Sequence, residues 1–540
     1  MRSPKPFHPL IIAPSHVLSA AKRLANLDEK QVNAVSTRIE LDLRIGYAFT
    51  RFMTNSLRPL GGAMSELTLS YGRLKGYFLG GTTISNNEVG SCQFPTLGFV
   101  VDRYFRVKNF VPEAFWGIKL MHSRQGKQVQ FSWARNRLFD RMTAVILYER
   151  CLAAKKAKIT KVQEKPTRKF KPLPLTTVEL QKAATRLLRM SGQQAMTITE
   201  NLYNRGFISY PRTETDKFDR GMNLRALVQK QTPDQRWGAF AQGLADGGFQ
   251  QPREGKHDDK AHPPIHPISH ATPSVLNYDE SRLYEYVVRR FLACCSDDAK
   301  GMATEVDLKY GDEIFSAHGV IVLERNYLDV FIYEKWNDSP ELPKFTVGEE
   351  FEPTEAMMTE GKTSPPNYLT EADLIALMDA NGIGTDATMA EHIQKIQDRE
   401  YVAVIDRSGQ AVDDDDDEPP ERPASRGRGR GRGRGGSTRG RGGGPRGSGR
   451  GGIKVFVPTQ LGVALILGFD RMNFETSLGK PFLRKEMELK MKAICDGRIT
   501  KELVLRESIS QYRRVFMESQ ERLDVLRAAC REFVFGRQPG

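Results

Sequence analysis

GFISYPRTET, residues 206–215, follows a helical pattern at 194–204 that halts at Gly206. Helix, glycine stop and short extended run are the local grammar of a winged-helix module. Pro211 disfavours the α region for Tyr210 and pushes it to extended geometry, where residues i and i+2 project to one side. Tyr210 and Arg212 then face a common target. A guanidinium donates two parallel hydrogen bonds to a phosphate, and a phenol, with an ordinary pKa of about 10, attacks phosphorus once its proton is removed or shared. That pairing is the logic of a tyrosine transesterase. The same residues also suit a strand-end tyrosine that packs its ring and exposes its hydroxyl, with Arg212 paired to Glu214.

Amphipathic helices at 176–190 and 280–295 surround this segment, making a helical block. On either side, 115–131 and 308–333 alternate apolar and polar residues with β-branched and aromatic types, as strands do. Farther out, 31–52 is helical in pattern, 369–397 reads as helix, glycine-rich turn, helix, 454–457 as a strand, and 487–494 and 503–534 as helices. The expectation is a multidomain α+β chain in which a helical domain interrupts a β-rich domain, which itself interrupts an outer helical domain. The expected limits are 1–105, 106–170, 171–300, 301–365, and 366–410 joined with 453–540.

Residues 411–452 stand apart: six consecutive acids from Asp413 to Glu418, then nine Arg and fourteen Gly within 426–452. Such a composition buries too little apolar surface to offset its ordering entropy, so disorder is expected, as a plain linker or a salt-sensitive nucleic-acid tether. From 413 to 452 ten Arg oppose seven acids, a surplus of three out of the chain's fourteen. The basic bias therefore lies mostly in the remainder, and it favours a polyanionic partner.

The 540 residues, 39% of them apolar, suffice for three or four cored domains and exclude a wholly disordered chain. Six scattered cysteines, with no C-x-x-C pair and no His cluster at zinc spacing, argue against a disulfide scaffold and a zinc finger. The N-terminus has only a four-residue apolar run, and no stretch approaches the roughly 20 apolar residues of a membrane span. The expectation is an intracellular, soluble, reduced protein.

Five further stretches stand in order with the first: STRIELDLRIG (36–46) followed by FTRF (49–52), SCQFPTLGFV (91–100), KAHPPIHP (260–267) and GIGTDAT (382–388). Together with FISYPRTET they closely resemble the type IA DNA topoisomerases, in particular the eukaryotic, fungal-like topoisomerase III group, over about residues 7–535. The resemblance implies a toroid of basal helical domain, β-rich arch and winged-helix-like (CAP-like) tyrosine domain. It implies that Tyr210 becomes linked to the 5′ phosphate of a cut strand, that Arg212 holds the phosphate, and that His262 donates to a phosphate or leaving oxygen. Arg38, Asp42, Gln93 and Thr388 match positions lining a single-strand groove. Read on their own, these four also suit helix-face salt bridges, a backbone-bonded amide, and a glycine break between packed helices.

The resemblance further implies single-strand cleavage, strand passage and religation without ATP, with Mg2+ as cofactor. It implies a nuclear location, and a RecQ-family helicase and an OB-fold accessory protein as partners in resolving recombination intermediates. Groove residues that track phosphates do not separate DNA from RNA. The sequence departs from the family in three ways. No Toprim-type D-x-D on a strand is found, so no metal ligand is assigned in this chain. Residues 73–90 interrupt S-Y-G-S-C-Q-F and read as translated intron or a misjoined exon. Ser36-Thr37 replaces the usual Asp-Ala. A second reading is accordingly a Toprim-less, catalytically impaired single-stranded nucleic-acid-binding protein.

Overall fold

The computed structural model describes residues 3–4, 24–25, 27–64, 92–336, 342–384, 388–406, 454–474 and 477–536; the stretches 73–90 and 411–452 lie outside them. Helix α1 (Glu29–Leu57) starts where the Asp28 carboxylate accepts the N–H groups of Lys30 and Gln31. Leu41, Ile45, Phe49, Phe52 and Met53 recur at spacings of three and four and form its buried face. A second face leaves Val32, Val35, Ile39, Leu43 and Tyr47 exposed. Helix α2 (Gln93–Lys108) follows.

Strands β1 (Ala114–Arg124) and β2 (Lys127–Trp133) form a hairpin through Gln125 and Gly126, both at positive φ (52° and 74°), a two-residue turn whose twist suits antiparallel strands. After α3 (Arg141–Ala154) and β3 (Ala157–Lys169) the chain leaves the sheet. It builds α4 (Thr177–Ala183, prolonged by a wider turn Ala184–Leu188), α5 (Gly192–Asn204), α6 (Leu224–Gln229), α7 (Gly238–Gly243) and α8 (Tyr278–Cys294). It returns as β4 (Ala299–Tyr310), β5 (Glu313–Glu324), β6 (Glu350–Phe351) and β7 (Glu355–Lys362). The seven strands order as β6-β3-β4-β5-β2-β1-β7, every neighbour antiparallel. Because Lys169 pairs with Ala299 at the end of the β3–β4 ladder, the helical block springs from two strand ends lying side by side.

The chain ends in α9 (Glu371–Ala380), α10 (Met389–Asp398), β8 (Val402–Ile405) paired with β9 (Val455–Pro458), then α11 (Gln460–Arg471), α12 (Phe482–Cys495), α13 (Lys501–Glu521) and α14 (Leu523–Phe535). These helices share one core with α1 and α2, centred on Leu41, Phe49, Phe94, Ile393 and Phe469. A second core joins Leu202, Ile208, Ile265, Tyr284 and Phe291 within the helical block, and a third joins Ile118, Phe131, Leu308 and Phe315 under the sheet. The fold is multidomain α+β. The alternation at 308–333 ends as strand at Glu324: a 3-10 turn at Asn326–Asp329 swings Tyr327 and Leu328 into the core of the helical block instead of along the sheet. The helical run 503–534 breaks at Arg522. All six cysteines are unpaired, and among the described residues no helix is long and apolar enough to cross a membrane.

Candidate active site and nucleic-acid interface

Helix α5 stops as the glycine signal predicts. Gly206 takes φ +78°, its N–H donates to Tyr203 O (2.8 Å), and Phe207 N–H donates to Leu202 O (3.0 Å). The run FISYP then pairs through a single bridge, Ile208 with Pro267, rather than as a full strand. Ser209 N–H donates to His266 O (2.9 Å) and His266 N–H to Ser209 Oγ (3.0 Å). Thr177 fixes the far side: its hydroxyl donates to Pro211 O (2.6 Å) and accepts Thr213 N–H (2.7 Å). The Tyr210 segment is thus held against the loop carrying His262.

Tyr210 stacks at a tilt on His262, ring centroids 4.6 Å apart, and meets Tyr203 edge-on at 5.3 Å. Arg212 turns to Glu200 on α5, twelve residues upstream, its Nε 2.9 Å and its Nη2 2.5 Å from one carboxylate oxygen. Partial burial works against the Arg212 charge, but the Glu200 hydrogen bond and the charges of Glu200, Tyr210 and Glu391 outweigh it and raise its pKa. Tyr210, Arg212 and His262 are therefore gathered in one place. The second histidine of KAHPPIHP differs: His266 is buried between Phe218 and Phe291, and burial pushes its pKa to about 4, leaving it neutral at pH 7.

The four groove candidates gather elsewhere, around residues that sequence reading missed. Arg484, on α12 and only 2% exposed, donates from Nη1 to Asp42 Oδ1 (2.6 Å) and forms an ion pair through Nη2 with Glu488 Oε1 (2.5 Å). Arg38 shares Glu488 at 3.1 Å, closer than its 3.9 Å approach to Asp42 along α1. Burial raises the Asp42 pKa against the pull of Arg484 and Arg38. Cys92, next to the buried Gln93 at the start of α2, lies in the field of the same four charges. Thr388 occupies the N-cap position of α10 and is buried, so of the four candidates only Arg38, at 22%, keeps appreciable exposure.

Helix α10 stands between the two groups. Glu391 acts on Arg212, while the next residue, His392, is buried within reach of Arg484 and Arg38; burial first, then Lys395 and those two cations, push its pKa to about 3. Among the described residues, no three His, Cys, Asp or Glu side chains come together as a metal site. Of the acids whose charge reaches Arg212, Glu200 is bound to that guanidinium and Glu391 stands on a different helix. The described residues do not fit a divalent cation.

The family model described as DNA topoisomerase matches residues 26–412. DNA topoisomerase 3 of Schizosaccharomyces pombe is 44% identical over 521 residues, covering 96% of this chain and 74% of that protein. DNA topoisomerase 3-alpha of Homo sapiens is 42% identical, covering 97% and 45%. Among solved structures, full-length topoisomerase I from Thermotoga maritima superposes with a TM-score of 0.64 over 94% of this chain and 72% of that one, at 20% identity, a likeness of fold.

Proposed function

Since the chain belongs to the type IA DNA topoisomerases, in the topoisomerase III group, we propose that it cuts one DNA strand with Tyr210, passes another strand through the break and reseals it. The Tyr210 oxygen forms a bond to phosphorus as the P–O3′ bond breaks, leaving a 5′-phosphotyrosine and a free 3′ hydroxyl. The phenol proton passes to solvent water as the ester forms, and His262, in its cationic form, donates a proton to the leaving 3′ oxygen. Arg212 releases Glu200 and forks onto the phosphate as charge builds. Religation is the reverse, so one ester replaces another and no ATP is needed.

The block 171–300 would carry Tyr210 as the moving part of the gate, relaxing negative supercoils and resolving recombination or replication intermediates. The nucleus is the proposed site of action, with a RecQ-family helicase and an OB-fold protein as partners. Magnesium is the cofactor expected of the family. The stacking of Tyr210 on His262, beside Arg212, is the observation that carries this reading.

A 3′-end-labelled single-stranded oligonucleotide, incubated with the full chain with and without magnesium and quenched in detergent, should leave label on the protein. Tyr210→Phe should abolish the adduct while retaining strand binding. The second reading is a nonenzymatic single-strand binder. It predicts a gel shift with no adduct under any condition. A matched RNA oligonucleotide in the same assay separates DNA from RNA preference.

A further inference from the structure

Two aspartates stitch the loop carrying His262 to the strand carrying Tyr210. Asp216 accepts His257 N–H (2.8 Å), and its second oxygen is 2.8 Å from His257 Nδ1. Gly255 lies so close to this carboxylate that a Cβ there would sit 2.1 Å from Asp216 Cγ. Asp259 forms the other clamp. Its Oδ1 accepts the N–H groups of Ala261 and His262, each at 2.7 Å, its Oδ2 accepts the Thr213 hydroxyl (3.1 Å), and its own N–H donates to Thr215 Oγ1 (3.1 Å). That same Oδ2 lies 3.7 Å from His262 Nδ1.

Both clamps tie the same loop to the same segment, but Asp259 faces the His262 imidazole whereas Asp216 faces that of His257. Although burial pushes the Asp259 carboxyl up, the two N–H groups and the Thr215 and Thr213 hydroxyls outweigh it and hold the group below the usual range, so it is a carboxylate at neutral pH. The Tyr210 ring also lies against His262, and the loop itself carries Lys260 and Asp258, the last paired with Lys217 at 3.2 Å.

We propose that Asp259 is a positioning residue for His262: it fixes the imidazole against Tyr210, keeps the Nδ1 proton turned inward, and leaves Nε2 as the nitrogen that meets substrate. The purpose of this arrangement rests on the proposed role of His262, but the coupling itself does not. A carboxylate at this distance favours the cationic imidazole, the form that donates a proton to a leaving oxygen, and fixes its orientation.

The test is histidine NMR of the full chain without DNA, with the His262 signal identified by its loss in His262→Gln. Asp259→Asn should lower the His262 titration midpoint by about one pH unit. Asp216→Asn, which loosens the same loop without facing the imidazole, should leave that midpoint in place. A midpoint unmoved in Asp259→Asn, or moved equally by Asp216→Asn, overturns the proposal. Should Asp259→Asn fail to fold, the wild-type nitrogen shifts decide: neutral His262 carries its proton on Nδ1, and an Nε2–H tautomer rejects the assignment. Absence of the covalent adduct would sink the proposed reaction and leave these titrations standing; unmoved titrations with a wild-type adduct would do the opposite.

Discussion

A guanidinium as enclosed as that of Arg484 survives only if its charge is answered on the spot. Burial opposes the charged form, yet Cys92, Asp42, Glu488 and Tyr512 together hold its pKa well above the ordinary arginine value. With Arg38 sharing Glu488, two cations and two anions from α1 and α12 balance around the buried Arg484–Asp42 pair. Removing one member leaves its partners charged in low dielectric, so Arg484→Met should cost about 3–5 kcal/mol. Arg484→Lys should recover only part, because an ammonium lacks the fork that reaches two carboxylates. Urea unfolding followed by helical circular dichroism checks both values, and a cost below about 1 kcal/mol in Arg484→Met would show the cluster to be effectively solvated. Nothing in the sequence around Arg484 announces this role. It sits in an amphipathic helix where a charge reads as solvent-facing, and its partner Asp42 lies 442 positions away. Tyr210 and Arg212 are legible because Pro211 sets their geometry locally, and the family motif selects His262 over His266. The Glu200 contact with Arg212 is not legible in the sequence, because Glu200 comes near only once α5 folds back on the segment that follows it.

At the scale of elements, the helical block meets the basal helices through an N-terminus. Helix α5, capped by the Ser191 hydroxyl, drives Gly192 against α9 and α10; a Cβ there would sit 2.8 Å from Glu371 Oε1 and 3.2 Å from Ala390 Cβ. Gly192 N–H donates to Glu371 Oε1 (2.7 Å), and Arg186 meets Asp373 at 3.4 Å nearby. Burial pushes the Glu371 pKa from 4.5 to about 7, although the Gly192 N–H and the Lys454 charge pull it down. Because the folded value is the higher one, the native state holds more protons than the unfolded state between these limits. The stabilisation is complete below about pH 4.5 and is lost as pH rises through about 7. Glu371→Gln keeps the acceptor and removes the charge, so its stability relative to wild type should rise across that window and level off above it. Thermal unfolding from pH 4.5 to 8.5, with hydrogen exchange at Gly192 as a local probe, measures the effect; parallel pH profiles for the two proteins would contradict it. The helices themselves are legible from periodicity and caps, whereas this junction is not, since a first-turn glutamate in LTEADL reads as an ordinary response to the helix dipole.

At the scale of the whole molecule, the chain runs through helices, sheet strands, a helical block, sheet strands again and further helices. That nesting puts two long-range seams into the chain, the β3–β4 ladder and the shared core of α1 and α2 with α9–α14. Residues 411–452 fall in the sequence between β8 and β9. The distribution of charge then separates two contributions to nucleic-acid binding. The insert adds ten Arg but seven acids, whereas the rest of the chain keeps eleven of the fourteen excess positive charges. If the acids neutralise the arginines beside them, deleting 411–452 should leave binding to oligo(dT) intact and reduce the slope of log affinity against log salt by about 2, at roughly 0.7 for each phosphate no longer neutralised. If the arginines instead act independently as a tether, the slope should fall by about 7. Fluorescence-anisotropy titrations from 50 to 300 mM salt, with and without the deletion, distinguish these values. The smaller change is expected, because Arg38 and the basic surplus outside the insert remain. Complete loss of binding on deletion would place the strand on the insert rather than on the helices that carry Arg38, Asp42 and Arg484.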